Sequence, residues 1–217
     1  MSTTAPAKRR RDAGATRARI LKAAAAEFAQ HGFAGGRGER IARRAQSSER
    51  MVYYYFGSKD ELFRAVLEAA YASLRDAERA VRLDRDDPAA ALGQFCRFVW
   101  RYYAGHPQFI SLLNTENLHR ARHLRKSGRL DELVGPVVGL LAELLAEGQA
   151  RGAFRADVDP ADLYVAIAGL GYFRLSNRHT LSAVLGRDMA DPRGLERYWE
   201  HAARMVGDYL RAPGDRL

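Results

Sequence analysis

Apolar side chains recur three and four residues apart along nearly the whole of this 217-residue chain, and nowhere do they alternate with polar ones at period two. The pattern confines the chain to an all-α fold. One stretch tests it: in "SERMVYYYFGSKDELF", residues 48–63, a Val followed by three tyrosines and a Phe has the composition of a strand. A strand there would have no partner, and its backbone N–H and C=O groups would stay unpaired. As a helix, the same residues put Val52, Tyr55 and Phe56 on one face and turn Tyr53 and Tyr54 aside.

Glycine and proline cut the pattern into helices. In "TRARILKAAAAEFAQHGF", Ile20, Leu21, Ala24, Ala25 and Phe28 keep helical spacing, Thr16 can cap the start and Gly32 can end the helix. A second helix, residues 38–45, separates Ile41, Ala42 and Ala45 from Arg40, Arg43 and Arg44. Ser47 and Ser48 offer caps to a third helix that starts near Glu49 and stops at Gly57. Ser58, three residues before Glu61, has capping-box spacing and opens a long fourth helix. Pro88, Pro160 and Pro192 suit first helical turns, with Asp159 and Asp191 as caps, and Pro136 should start or kink its helix. The organisation expected is a disordered basic arm over residues 1–14, a three-helix module over 15–60 and a larger helical domain over 61–217.

Charge divides the chain in a similar way. Residues 1–60 carry 13 Lys or Arg against five Asp or Glu, whereas the other 157 residues carry 22 against 21, out of a net charge of +9. A small basic module meeting a polyanion explains this distribution better than a uniformly basic surface. The N-terminus lacks the apolar segment of a secretory signal, and no run looks long and uncharged enough to span a bilayer, so a cytoplasmic protein without a membrane partner is expected. The single cysteine, Cys96, sits in "QFCRFVW" and reads as a buried, inert thiol.

Three short helices with concentrated positive charge describe a helix-turn-helix module whose third helix enters the DNA major groove. The segments "ILKAAAAEFAQHGF", "IARRA" and "YYYFGSKDELF", in this order and spacing over about residues 17–66, resemble the N-terminal signature of TetR-family transcriptional regulators. "HPQFISLLNTENLH" and "YFRLSNRHTLSAVLGRD" are similar to one subgroup of that family's larger helical domain. The sequence departs from the common pattern at Gly36 and Arg37, where many members have two threonines, at Gly38, and at Arg50 and Met51, where many have Gly-Thr. Arg37 and Arg50 become replacement contacts in this chain. The resemblance implies that Tyr53 touches a phosphate, that Lys59 contacts the backbone and that the third helix reads bases. The chemistry supports Ser47, Ser48 and the amides that follow at a helix N-terminus as phosphate contacts, and Arg50 as a bidentate partner of guanine, with Glu49 also in the candidate DNA set. Met51 and Tyr54 complete the candidate DNA set. Lys59 can instead be a solvated lysine, Tyr53 a packing residue, and "KRRR" at residues 8–11 either a minor-groove arm or a solubilising tail.

In the larger domain, polar residues within apolar helices mark a candidate effector pocket: Asn114, Asn117, His119 and Asn177, with Phe98, Tyr102, Phe109, Leu113, Tyr172 and Phe173 as its apolar part. Each polar residue can equally cap a helix or face solvent. The expected ligand is small and largely apolar. Glu116, His119 and His123 have metal-ligand spacing on a helix, but Arg120, Arg122 and Arg125 repel a cation, so no metal or cofactor is expected. Leu163, Ile167, Leu170, Tyr198, Trp199, Ala202, Met205 and Tyr209 form candidate faces of a four-helix homodimer interface, unless they close the protomer's own core. No catalytic constellation stands out. The expected function is a homodimeric, ligand-released repressor on a pseudo-palindromic double-stranded DNA operator; a nonspecific nucleoid-type protein and a helical enzyme are the alternatives.

Overall fold

The computed structural model describes residues 5–212, with side chains from residue 13 onward. Their order is α1 (Ala5–Gly35), α2 (Gly38–Arg44), α3 (Glu49–Phe56), α4 (Lys59–Arg79), α5 (Pro88–Gly105), α6 (Pro107–Leu118), a 3-10 turn (Leu124–Lys126), α7 (Leu130–Ala150), α8 (Pro160–Ser176), α9 (Arg178–Leu185) and α10 (Pro192–Leu210). Among the described residues the only β-type pairing is an isolated bridge between Phe154 and Arg211. The all-α expectation holds, including the aromatic run, which is α3.

The chain forms two compact units: one runs to Tyr71 and takes in Ser111–Leu130, and the other comprises Ala72–Ile110 and the chain from Asp131. The boundary expected after residue 60 therefore falls within α4. Packing explains the difference, because Leu62, Phe63, Val66 and Leu67 of α4 and Leu112 of α6 share one core with α1, α2 and α3.

In the first unit Ile20, Ala24, Phe28, Ile41, Val52 and Phe63 are at most 1% exposed. Burying each large side chain contributes roughly 1.5–3 kcal/mol, enough to hold helices too short to persist alone. Phe28 meets Phe63 edge-on at 5.0 Å. Within the segment expected as a basic arm, α1 begins at Ala5, a start favoured by the Ala and Arg content of residues 5–15, with Pro6 tolerated in the first turn. Residues 1–4, and the side chains of residues 8–11 with their groove-reaching role, lie outside the described residues. Gly32, at φ 65°, interrupts α1 where its end was expected.

The second unit is organised around α5. Leu92, Phe95, Cys96 and Val99 are buried along one side, and the Trp100 indole N–H donates to the Ile167 carbonyl of α8 at 2.8 Å. Burial pushes the Cys96 thiol up to about 12, so the thiol stays protonated and unreactive, as expected. Asp87, Asp159 and Asp191 each accept backbone N–H groups in front of a proline, which caps α5, α8 and α10. Pro136 lies inside α7 without ending it. By length and composition α7 could cross a bilayer, which corrects the expectation that no run could. Its buried Leu133, Val137, Leu141, Leu144 and Leu145 nevertheless recur as one stripe, as on a helix packed in a protein core.

Candidate nucleic-acid interface

α2 and α3 are joined by a tight turn in which Gln46 takes a left-handed conformation, φ 50°. The Ser48 hydroxyl caps α3 by accepting from the Met51 amide at 3.3 Å. Val52 and Phe56 anchor the helix in the core, with Tyr55 packed beside them. Three and four residues from Arg50 come Tyr53 and Tyr54, so these side chains form the opposite, outward stripe. Arg50 and Glu49 are exposed, Tyr54 is 76% exposed and Tyr53 36%, while Met51 and Ser47 are half-buried.

Gly38 accounts for where Tyr53 points. A Cβ built there would lie 2.8 Å from the Tyr53 hydroxyl and 2.5 Å from a Glu49 carboxylate oxygen, so the missing side chain lets both lie over the start of α2. Arg37, the residue before α2, is held by its backbone: its N–H donates to Glu27 Oε1 at 3.1 Å, while its side chain stays exposed. Glu27 is itself 2% exposed and also accepts from Arg40 Nε at 2.7 Å. Burial pushes its carboxyl up, but the Arg40 hydrogen bond, the Arg37 amide and the charges of Arg40 and His31 outweigh that and hold it below the ordinary range.

Lys59 is not a freely solvated side chain. Its ammonium donates to the Ala34 carbonyl at 3.3 Å and lies 4.9 Å over the Phe33 ring. Burial and the nearby Arg37 charge lower its pKa, against Asp60 and Glu27, which raise it. Two cations held this close present a site that an anion would stabilise. Gly57, at φ 76°, stops α3, and a side chain there would collide with the Glu61 carboxylate. The Ser58 hydroxyl then accepts from the Glu61 amide at 3.2 Å, as the capping spacing predicts. Sequence reasoning missed Arg17, stacked 4.7 Å over the Phe56 ring, and Arg19, which donates to the Ala45 carbonyl at 3.3 Å.

Residues 20–66 match the family model for bacterial regulatory proteins of the tetR family, and residues 88–206 match the tetracyclin repressor-like C-terminal domain. The chain belongs to the TetR family. It is 49% identical over 191 residues to the HTH-type transcriptional repressor NicS of Pseudomonas putida, covering 88% of this chain and 90% of that one. It is 30% identical to the HTH-type transcriptional repressor SCO4008 of Streptomyces coelicolor, over 91% and 98% of the two chains. In three dimensions it resembles a TetR transcriptional regulator from Chloroflexus aurantiacus with a TM-score of 0.69 at 23% identity, over 94% and 100% of the chains. The N-terminal TetR match spans the helices just described.

The candidate effector residues do not form one constellation within either unit. Leu113, Asn114, Asn117 and His119 belong to the first unit, and Phe98, Tyr102, Phe109, Tyr172, Phe173 and Asn177 to the second. His119 packs edge-on against Phe33 at 5.3 Å, and Asn117 is exposed. The Asn177 amide donates to the Phe173 carbonyl one turn back, and Phe173 is 60% exposed. Tyr102 stacks on His106 at 3.9 Å, with Phe98 and Phe109 around it.

The helical face expected for Glu116, His119 and His123 does not exist, because α6 ends at Leu118 and Arg120 and Ala121 take positive φ. Glu116 instead holds the turn: it accepts from the His123 and Leu124 amides at 2.8 and 2.9 Å and meets the His123 ring at 2.6 Å. No group of side chains suited to a metal ion occurs among the described residues.

The dimer candidates divide. Leu163, Ile167, Trp199 and Ala202 are at most 5% exposed and close the protomer's own core, which corrects their assignment to an interface. Met205 and Tyr209 are 51% and 54% exposed and, with Leu170, line an open groove of about 620 Å³ between α8 and α10. Tyr198 is half-buried, and its hydroxyl donates to the Leu170 carbonyl at 2.8 Å.

Proposed function

We propose that this TetR-family protein is a transcriptional repressor that binds a pseudo-palindromic operator as a homodimer and is released by a small effector. One observation carries the DNA reading: Arg50, Tyr53 and Tyr54 form an outward stripe on a helix capped by Ser48 and anchored by Val52 and Phe56. Arg50 reads a base edge, and Tyr53, Arg37, Lys59, Ser47 and Ser48 meet phosphates, with Glu49, Met51 and Tyr54 beside them. The names of the P. putida and S. coelicolor relatives support repression rather than activation.

The groove at Leu170, Met205 and Tyr209 supports the dimer reading, because exposed apolar side chains on two adjacent helices suit a symmetric four-helix contact. Such a dimer would set two recognition helices about 34–36 Å apart. The effector acts through α4, which carries Lys59 in its first turn and reaches the second unit in its last turns. It must bind the two states with different affinity to shift them.

Selection of bound fragments from random DNA by the full chain tests the reading. An enriched two-fold symmetric site is expected; enrichment without any preferred site would identify a nonspecific DNA protein instead.

A further inference from the structure

Arg174, in the last turn of α8, is 6% exposed, and its guanidinium carbon lies 5.0 Å over the Tyr198 ring of α10. Burial and the charges of Arg187 and Arg197 lower its pKa, against Tyr198 and Asp191, which raise it. Two aspartates stand close by, yet backbone amides take them both. Asp188 Oδ1 accepts from Ala190 at 2.8 Å, and Asp191 Oδ2 caps α10 by accepting from Gly194 at 2.6 Å. A buried guanidinium beside two other arginines and without a carboxylate partner is costly, and packing on Tyr198 offsets only part of that cost.

The free end of this side chain opens on a cleft. Arg174 Nε is sealed against the ring, whereas Nη1 and Nη2 keep access and hold no hydrogen bond. The cleft has a volume of about 590 Å³ and is lined by Arg174, Arg187, Asp188, Asp191, Gly194, Arg197 and Tyr198. Gly194 keeps it open: a Cβ there would lie 3.4 Å from Arg174 Nη2, so a side chain on this turn of α10 would cover the nitrogen. Arg187 and Arg197 are exposed at the rim, where unpaired arginines are ordinary; the buried, uncovered Arg174 between them is not. None of these residues lines the groove at Leu170, Met205 and Tyr209.

We propose that this cleft binds the phosphate group of a small polar molecule, with the Nη groups of Arg174 at its floor and Arg187 and Arg197 closing over it. Three guanidinium groups from the end of α8, the turn after α9 and the start of α10 can meet separate oxygens of a tetrahedral anion, where a planar carboxylate offers two. Charge favours the same ligand. A phosphate monoester carries about −1.5 to −2 at neutral pH, which sustains attraction to three cations against the opposing Asp188 and Asp191 better than a single carboxylate charge does. The rest of the ligand is polar, because Arg174 covers the Tyr198 ring and the other walls are charged side chains and glycine.

The test is calorimetric titration of the full chain, at fixed ionic strength, with glycerol 3-phosphate, inorganic phosphate, acetate and glycerol. Both phosphates should bind saturably and at least about tenfold tighter than acetate, and glycerol should not bind. Arg174→Lys, which keeps the charge and loses the fork, should weaken phosphate binding at least about tenfold. Arg187→Gln with Arg197→Gln changes exposed side chains alone, so it tests the site even if the buried variant does not fold; it should weaken binding by a similar factor and leave DNA binding intact. Asp188→Asn removes an opposing charge and should tighten binding by about threefold, an effect that loss of packing would not produce. Arg50→Ala with Lys59→Ala separates this cleft from the basic first unit, and phosphate binding should survive it. Phosphate binding lost in that variant and kept in Arg187→Gln with Arg197→Gln would overturn the proposal. So would acetate binding as tightly as phosphate, or no saturable phosphate binding into the millimolar range.

Discussion

Removing the Glu27 carboxylate should loosen the DNA-binding unit without touching its outward stripe. The side chain accepts from Arg40 Nε at 2.7 Å and the Arg37 amide at 3.1 Å, with Arg40 Nη2 at 2.6 Å and His31 at 3.9 Å. Hydrogen bonds to charged groups contribute roughly 1.5–3 kcal/mol each. Arg40 is 32% exposed and can rehydrate, so its share is reduced, and Glu27→Ala should cost about 2–4 kcal/mol. That is a large part of a typical stability of roughly 5–15 kcal/mol. The Glu27 carboxyl is held below its ordinary value of 4.5, so its ionic contribution is present above that pH and is lost as pH falls through the folded value. The gap between wild type and Glu27→Gln should therefore shrink in acid. Trp100 and Trp199 both lie in the second unit, so tryptophan fluorescence would be blind to the change. Amide hydrogen exchange at Arg37 and along α2 reads it directly. Protection in Glu27→Ala within about 0.5 kcal/mol of wild type would refute the reasoning.

Three other variants separate conformation, core and the proposed interface. Gly57→Ala combines a positive φ with a collision at Glu61 and should destabilise the first unit by more than about 1 kcal/mol, read by exchange in α3. Met205→Glu with Tyr209→Glu should leave thermal unfolding of the second unit little changed but raise the dimer dissociation constant at least about tenfold in sedimentation equilibrium. Leu163→Ala should do the reverse, lowering stability by about 2–5 kcal/mol as a core cavity while affecting association only through folding.

The helices were legible because their starts and stops are local: Ser48, Asp159 and Asp191 cap, and Gly32 and Gly57 interrupt. Glu27 was passed over, although it is a carboxylate on the stripe formed by Ile20, Ala24 and Phe28, because only the fold reveals its partners. The end of α6 was not. Arg120 and Ala121 adopt positive φ without glycine nearby, held by Glu116 and the packing of His123, so helical spacing wrongly joined His119 to His123. Which side of α8 faces the core was only half legible because the helix is apolar on every side. Nothing local tells Leu163 and Ile167, which face the core, from Val165 and Phe173, which do not. Nothing local marks Arg75 and Glu78, whose burial is imposed by the second unit's packing.

Whether α3 reads DNA decides the function of this chain. On a selected operator, Arg50→Ala should relax preference at a single base pair, a loss of roughly 1–3 kcal/mol of discrimination. Lys59→Ala should weaken binding to all sequences alike and reduce the salt slope by about 1. Titrating both variants against the operator and its single-base mutants over a range of salt concentrations measures this. Unchanged preference in Arg50→Ala together with an unchanged slope in Lys59→Ala would contradict the assignment of this face to DNA.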